Sequence, residues 1–263
     1  MSALDHRFLD HCVQVARAAA DAAAEEIRRH YRRGVAVEIK ADETPVTAAD
    51  RAAEAAIIGT LRQAFPDHDF HGEEGGRQGG GSDFLWLIDP IDGTRSFVRG
   101  YPFFSTQIAL MHRGELVAGV SKASEFCETA WARRGGGAFL NGERVFASGV
   151  TELRLAAVSL GNLKTLAAGH GWSALAGIVG AAERTRGYGD FYHYHLLAQG
   201  ACDAVIESDV NILDIAALYV IVAEAGGVFT DLEGRPVGLE TRSVLAAASA
   251  DLHAELSERL SAR

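Results

Sequence analysis

The chain opens on a helical pattern. From about residue 4 to residue 33, Phe8, Cys12, Val15, Ala19, Ala23 and Ile27 recur at steps of three and four, which predicts one buried helical face. An alternating run over residues 35–40 predicts a strand, and Thr47 then opens an amphipathic helix over 48–65. The Thr47 hydroxyl suits an N-cap, with Asp50 where a capping box prefers Glu or Gln. Phe70-His-Gly-Glu-Glu-Gly-Gly76 leads into a glycine-rich stretch ending at Ser82, and Leu85 starts an apolar strand that runs into acids. Short strands are predicted over 105–111, 116–121 and 129–132, with Asn141-Gly142 as a hairpin turn.

The second half alternates differently. It predicts strands over 155–159, 203–207, 228–230 and 244–248, and helices over 172–179, 190–199, 214–225 and 252–260. There is no repeat and no linker, so layers of helix and sheet are expected. A soft boundary near 143–153 divides an N-terminal α+β half (1–145) from a C-terminal α/β half (146–263).

With 263 residues, 48% of them hydrophobic, the chain can bury a substantial core. Five prolines and 23% charged residues exclude a disordered chain. Lys plus Arg is 25 against 35 for Asp plus Glu, a net charge of −10. That balance argues against nucleic acid as a partner, but leaves open phosphate chemistry that borrows positive charge from metal ions. Cys12, Cys127 and Cys202 are too scattered for a disulfide framework, and each reads as a buried small hydrophobe. The opening MSALDHRFLDH lacks the apolar core of a signal peptide, and no run approaches a membrane span. A cytoplasmic protein with no membrane partner is expected.

The segment richest in chemistry is Asp89-Pro90-Ile91-Asp92-Gly93-Thr94. Two carboxylates leave a buried strand three residues apart, where Pro90 is expected to stop regular pairing and Gly93 permits a tight backbone. Crowded carboxylates repel unless a hard cation sits between them, and Mg²⁺ favours such oxygen ligands. A helical turn after Thr94 would aim backbone N–H groups at the same place. Glu73-Glu74 and Asp214 add acids at other element ends. The alternative is a structural turn with acids at its surface.

Gly72-Glu-Glu74, Trp86-Leu-Ile-Asp-Pro-Ile-Asp-Gly-Thr94 and Asp214-Ile-Ala-Ala-Leu…Glu224-Ala-Gly-Gly227 resemble, in order along nearly the whole chain, the motifs of the inositol monophosphatase family. The resemblance implies a layered α-β-α-β-α sandwich (α/β, of the α+β kind) and a magnesium-dependent phosphomonoesterase, with two or three Mg²⁺ per site and a homodimer. It implies that Glu73, Asp89 and the Ile91 carbonyl hold one metal, and that Asp89, Asp92 and Asp214 hold a second. Thr94, paired with Asp50, would orient and deprotonate the attacking water, with Glu73 also in the catalytic set. The Gly93 and Thr94 amides would grip the phosphate, Glu74 would support its loop, and Lys40 matches a basic position of the family.

Thr44-Pro-Val-Thr-Ala-Ala-Asp50, Gly93-Thr-Arg-Ser-Phe97 and Arg186-Gly-Tyr-Gly-Asp-Phe-Tyr192 are more similar to the histidinol-phosphatase branch than to the inositol branch. By that resemblance Asp190 and Glu207 form the pocket for the alcohol, where carboxylates suit the ammonium and imidazole of histidinol phosphate. Their alternative readings are an N-cap for Asp190 and a solvated acid for Glu207. Leu213 replaces a usual aromatic beside Asp214, and Val210-Asn-Ile is atypical. An inositol phosphatase, another sugar or nucleotide phosphatase, and a non-catalytic metal- and phosphate-binding regulator are the competing functions. His193-x-His195 is discounted as a metal site because helical positions two apart point apart. The Gly79–Gly81 run is read as a mobile connection, and Arg133-Arg134 as a solvated turn.

Overall fold

A computed structural model describes residues 4–31, 37–39, 45–168 and 171–261. Lys40 and the start of the strand expected over 35–40 lie outside the described residues. The first half contains α1 (His6–His30), β1 (Val37–Ile39), β2 (Pro45–Thr47), α2 (Ala48–Ala64), β3 (Asp69–Gly72), β4 (Gly76–Gln78), β5 (Phe84–Asp92), α3 (Thr94–Val98), β6 (Ser105–His112), β7 (Glu115–Ala123), β8 (Glu128–Arg133), β9 (Gly137–Leu140) and β10 (Glu143–Val145). The second contains β11 (Ala157–Gly161), α4 (Leu163–Ala168), α5 (Trp172–Ala181), β12 (Arg184–Arg186), α6 (Asp190–Ala198), β13 (Ala204–Ser208), α7 (Ile212–Glu224), β14 (Val228–Thr230), β15 (Ser243–Ala247) and α8 (Ala250–Ser261).

Side-chain alternation sorts these elements into layers. In β5 and β6, Trp86, Ile88, Ile108 and Leu110 face α1 and α2, whereas Leu85, Leu87, Ala109 and Met111 face α6 and α7. In the second sheet, Val205, Val244 and Ala246 face that same central helix layer, while Ala204, Ile206, Leu245 and Ala247 pack under α5 and α8. The order is therefore α-β-α-β-α, as expected. The first sheet runs β10-β9-β8-β7-β6-β5-β3-β4 and the second β12-β11-β13-β15-β14. The central cluster draws on both halves of the chain.

The sequence pattern placed most elements to within a few residues and missed short ones. β4, α4 and β12 fall in stretches without a usable period. Asn141 and Gly142 both have positive φ (52° and 90°) between β9 and β10, the geometry of the expected tight hairpin. Three other expectations change. The Gly79–Gly81 connection is tied down, with Gly80 and Gly81 N–H donating to the Asp69 carboxylate at 3.0 and 3.2 Å. Arg133 is no solvated residue, because it reaches back to α1 and pairs with Asp10 at 2.7 Å. Cys127, unlike Cys12 and Cys202, is exposed.

Candidate active site

The β5 strand does not stop at Pro90. Pairing with β6 resumes at Asp92 after a register shift, and Thr106 Oγ1 donates to the Pro90 carbonyl at 2.9 Å. The irregularity presents Asp89, the Ile91 backbone and Asp92 to one cavity of about 490 Å³. Gly93 follows in the left-handed region (φ 87°), where a Cβ would lie 2.6 Å from the Phe103 carbonyl, so only glycine fits. It leads into α3, whose Phe97 is buried against Tyr31 and Phe104. Ser96 and Phe97 N–H bond to the Gly93 carbonyl, so the Gly93, Thr94 and Arg95 amides precede the first helical bond, beside the cavity.

Helix α2 supplies two acids one turn apart. Asp50 closes a capping box with Thr47 despite being Asp: its Oδ2 accepts from Thr47 N and Oγ1 at 2.7 and 2.6 Å. The single Thr94 hydroxyl proton is shared between two acceptors, with Oγ1 3.3 Å from Asp50 Oδ1 and 2.9 Å from the Ile91 carbonyl. Glu54, buried, accepts from Glu74 N at 2.8 Å and Gly75 N at 2.7 Å, and so fixes the loop that carries Glu73. A Cβ on Gly72 would overlap the Glu54 carboxylate, which is why the loop begins on glycine.

From the other half, Asp214 is the third residue of α7 rather than its start. It completes a capping box with Asn211, accepting from Asn211 N at 2.8 Å and Nδ2 at 2.6 Å. Carboxylate oxygens of Asp89, Asp92 and Asp214 lie within 4.8 Å of one another, and Glu73 lines the same cavity. Burial, then the charges of Glu73, Asp92 and Asp214, push the Asp89 carboxyl well above its usual range. Burial, then Asp190, Asp214 and Glu207, does the same to Asp92. Asp214 is pushed up to about 7, again by burial first and with Asn211 opposing it. This is a set of hard oxygen donors whose mutual repulsion a divalent cation would relieve, so the residues fit such an ion.

Asp190 lines the same cavity, and the N-cap reading of it fails. Gly189 precedes α6, while Asp190 is its first residue, held at φ 46° with its side chain toward the cavity. Asp is tolerated in that conformation better than most residues, yet it remains strained. Burial, then the charge of Glu207, raises its carboxyl to about 6. Glu207 is not a solvated acid either. It is 3% exposed, and its Oε2 accepts from Tyr194 OH at 2.7 Å and contacts His193 Nε2 at 3.1 Å. Asp92, Asp190, Tyr194, Glu207 and Asp214 share an inner recess of about 40 Å³ beside the main cavity.

Residues 9–262 match the sequence profile described as the Inositol monophosphatase family. The chain belongs to that family. Its enzymes are metal-dependent phosphatases of small phosphate esters, in keeping with the acid cluster. A protein named histidinol-phosphatase from Streptomyces coelicolor is 38% identical over 97% of this chain and 98% of its own length. One of the same name from Mycobacterium tuberculosis is 39% identical over 75% of this chain and 78% of its own. The structure of the extragenic suppressor protein suhB from Bartonella henselae superposes with a TM-score of 0.87 at 30% identity, covering 95% of this chain and 98% of that one.

Within this family member, the motif residues Asp50, Glu73, Asp89, Ile91, Asp92, Gly93, Thr94, Asp190 and Asp214 meet at the main cavity or beside it, and Glu207 lies in the recess. Leu213, the departure beside Asp214, is buried in the central cluster rather than lining the cavity. Sequence reasoning missed Glu54, although it stands four residues after Asp50, a spacing that shares a helix face. It also missed Asn162, Asp209 and Arg242 at the cavity wall. Asn162 and Asp209 have positive φ (50° and 59°), and Asn162 Nδ2 donates to the Ser208 carbonyl at 2.7 Å. His193 and His195 turn to different partners, as expected of positions two apart on a helix.

Proposed function

We propose that the protein is a Mg²⁺-dependent phosphomonoesterase that hydrolyses L-histidinol phosphate to L-histidinol and phosphate. The observation that carries the reading is two sets of acids side by side. Asp89, Asp92 and Asp214 bring carboxylate oxygens within 4.8 Å of one another, and Asp190 with Glu207 lines the recess that Asp92 and Asp214 also border. The first group suits two or three cations, held by Glu73, Asp89, the Ile91 carbonyl, Asp92 and Asp214. The second suits a cationic alcohol, whose ammonium an Asp190 carboxylate would take as a charge-assisted hydrogen bond. Glu207, already engaged by Tyr194, would act on the same charge from deeper in the recess. The names of the Streptomyces and Mycobacterium relatives support this branch.

Bound Mg²⁺ would neutralise the phosphate dianion and make water more acidic. Thr94 Oγ1, anchored on Asp50 Oδ1, would accept a hydrogen bond from the attacking water and pass a proton toward Asp50. The Gly93 and Thr94 amides would hold the phosphate oxygens for in-line attack, in which the ester P–O bond breaks and the leaving alkoxide takes a proton from water to give the alcohol. The proposal includes a 1–145 half bearing most cation ligands and a 146–263 half bearing Asp214 and the alcohol pocket. It also includes a homodimer in the cytoplasm.

The decisive assay measures phosphate release from L-histidinol phosphate, myo-inositol 1-phosphate and adenosine 3′,5′-bisphosphate, side by side with Mg²⁺. Histidinol phosphate should give the highest kcat/KM. A preference for inositol phosphate would overturn the substrate, and no release from any of them would overturn catalysis.

A further inference from the structure

A line of buried polar side chains runs beneath the acid cluster, in a layer otherwise filled by apolar groups. Ser105 Oγ is 3.3 Å from Asp92 Oδ2, and Gln107 Nε2 is 2.7 Å from Ser105 Oγ and 3.1 Å from Ser121 Oγ. Ser121 Oγ is 2.8 Å from His195 Nε2, and His195 Nδ1 is 2.8 Å from Glu128 Oε2. Ser105, Gln107, Ser121 and His195 are each at most 1% exposed. The sheet does not require them. Gln107 stands opposite Asp89 and Ser121 on the face where Ala109 and Met111 pack, and an apolar residue would fill that rung. Buried polar groups cost about 1–3 kcal/mol each when unpaired, and Gln107 Oε1 has no hydrogen-bond partner, so the amide is held in place through the two bonds of its Nε2.

The direction of every bond follows from the ends. An ionised Asp92 only accepts, so Ser105 donates to it and takes one amide proton of Gln107. The other amide proton goes to Ser121, whose hydroxyl is left to donate to His195 Nε2. His195 Nδ1–H then donates to Glu128. A neutral amide does not relay protons, so the array fixes positions rather than conducting.

We propose that Gln107 is a positioning residue for Asp92, acting through Ser105 to hold one carboxylate oxygen and leave the other for the cation. Ser121, His195 and Glu128 anchor its far side. Because His195 lies on α6, the helix that begins at Asp190, the array also joins the cation-holding strand to the substrate pocket. The inference rests on the reading that Asp92 holds a divalent cation.

The test is calorimetric titration of Mn²⁺ and Mg²⁺ into the metal-free full-length protein and its Ser105→Ala, Gln107→Met and Asp92→Asn variants. Removing an outer hydrogen-bond partner of a metal ligand weakens affinity about 10- to 100-fold, and that range is expected for the first two. Ser105→Thr, which keeps the hydroxyl, should restore binding to within about twofold. The imidazole ¹⁵N shifts of His195 should report the Nδ1–H form that Glu128 holds, and an Nε2–H form would overturn the bond directions of the array. If Gln107→Met does not fold, Ser121→Ala carries the test, because Ser121 reaches Ser105 and Asp92 only through the Gln107 amide: weakened cation binding supports the role of Gln107 and unchanged binding overturns it. Melting temperatures lowered with cation affinity unchanged would mean a structural role and overturn the inference. If Asp92→Asn binds cation as the parent does, the cation reading of the site falls with it. Loss in Asp92→Asn alone overturns only the role of Gln107.

Discussion

Replacing Asp214 by Asn should stabilise the metal-free protein while destroying its response to Mg²⁺. The Asp214 carboxyl is pushed up to about 7 from 3.8, first by burial and then, against the Asn211 hydrogen bonds, by Glu73 and Glu207. For an acid with a raised folded-state value, the folded form is favoured fully below about 3.8, and that advantage is lost as pH rises to about 7. At pH 8 the ionised group therefore opposes folding by up to about 4 kcal/mol, at 1.36 kcal/mol per pH unit. Asp214 is partly open to the cavity, so water screens the charge and roughly 2–4 kcal/mol is the usable range. Asn carries no charge and keeps an oxygen for Asn211 N–H but loses the bond from Asn211 Nδ2, which takes back about 1 kcal/mol and leaves about 1–3 kcal/mol. At about 2–4 °C per kcal/mol for a chain of this size, the variant should melt roughly 2–12 °C above wild type in EDTA at pH 8. At pH 4 the gap should close, since Asp214 is then protonated. With saturating Mg²⁺ the order should reverse, because only the wild type gains the binding free energy. Differential scanning calorimetry at both pH values, with EDTA and with Mg²⁺, reads all of this. A variant less stable than wild type in EDTA at pH 8 would refute the idea that repulsion among these acids is held in reserve for a cation.

Four further outcomes follow from individual contacts. Asp50→Asn and Thr94→Ala should each lower kcat by about 10²–10⁴ with KM nearly unchanged, read from steady-state phosphate release, because a base and its partner act in the transition state. KM for histidinol phosphate should rise as pH falls through about 6, where Asp190 takes up its proton, and Asp190→Asn should flatten that part of the profile. A phosphate ester of an uncharged sugar should lack the Asp190-dependent part and keep only the titration of its own phosphate. Glu54→Gln, which replaces one of the two oxygens that accept from the Glu74 and Gly75 amides with an NH2 donor and so leaves one amide without a partner, should destabilise by about 1–3 kcal/mol in chemical denaturation and raise the Mg²⁺ needed for activity. Gly93→Ala should cost about 1–3 kcal/mol for its backbone conformation alone and lower activity sharply, because the Phe103 carbonyl blocks the new methyl.

What could be read from the sequence was local: an amphipathic period, a capping pair, a turn dipeptide, and acids at the ends of apolar runs. Those signals place β5, α2 and α7 and point Asp89, Asp92 and Asp214 at one another, because each acid lies within three residues of an element's end. The pairing of Asp50 with Thr94 came from resemblance, since the two stand 44 residues apart and no spacing rule joins them. The alternative readings that fail do so for the same reason. Asp190 sits where an N-cap belongs, yet Gly189 takes that place and releases the carboxylate toward the cavity. Glu207 looks like a strand-end acid, but Tyr194 and His193 arrive from another helix to bury it. The Ser105–Gln107–Ser121–His195 array is the extreme case. Its one sequence trace is polar residues at core-facing positions of strands that continue as Ala109, Met111 and Ala123. A polar residue on the buried face of an otherwise apolar strand breaks the period that builds the fold, so it calls for a partner that only the folded chain can supply. Here that partner connects to Asp92, which places the violation beside the chemistry.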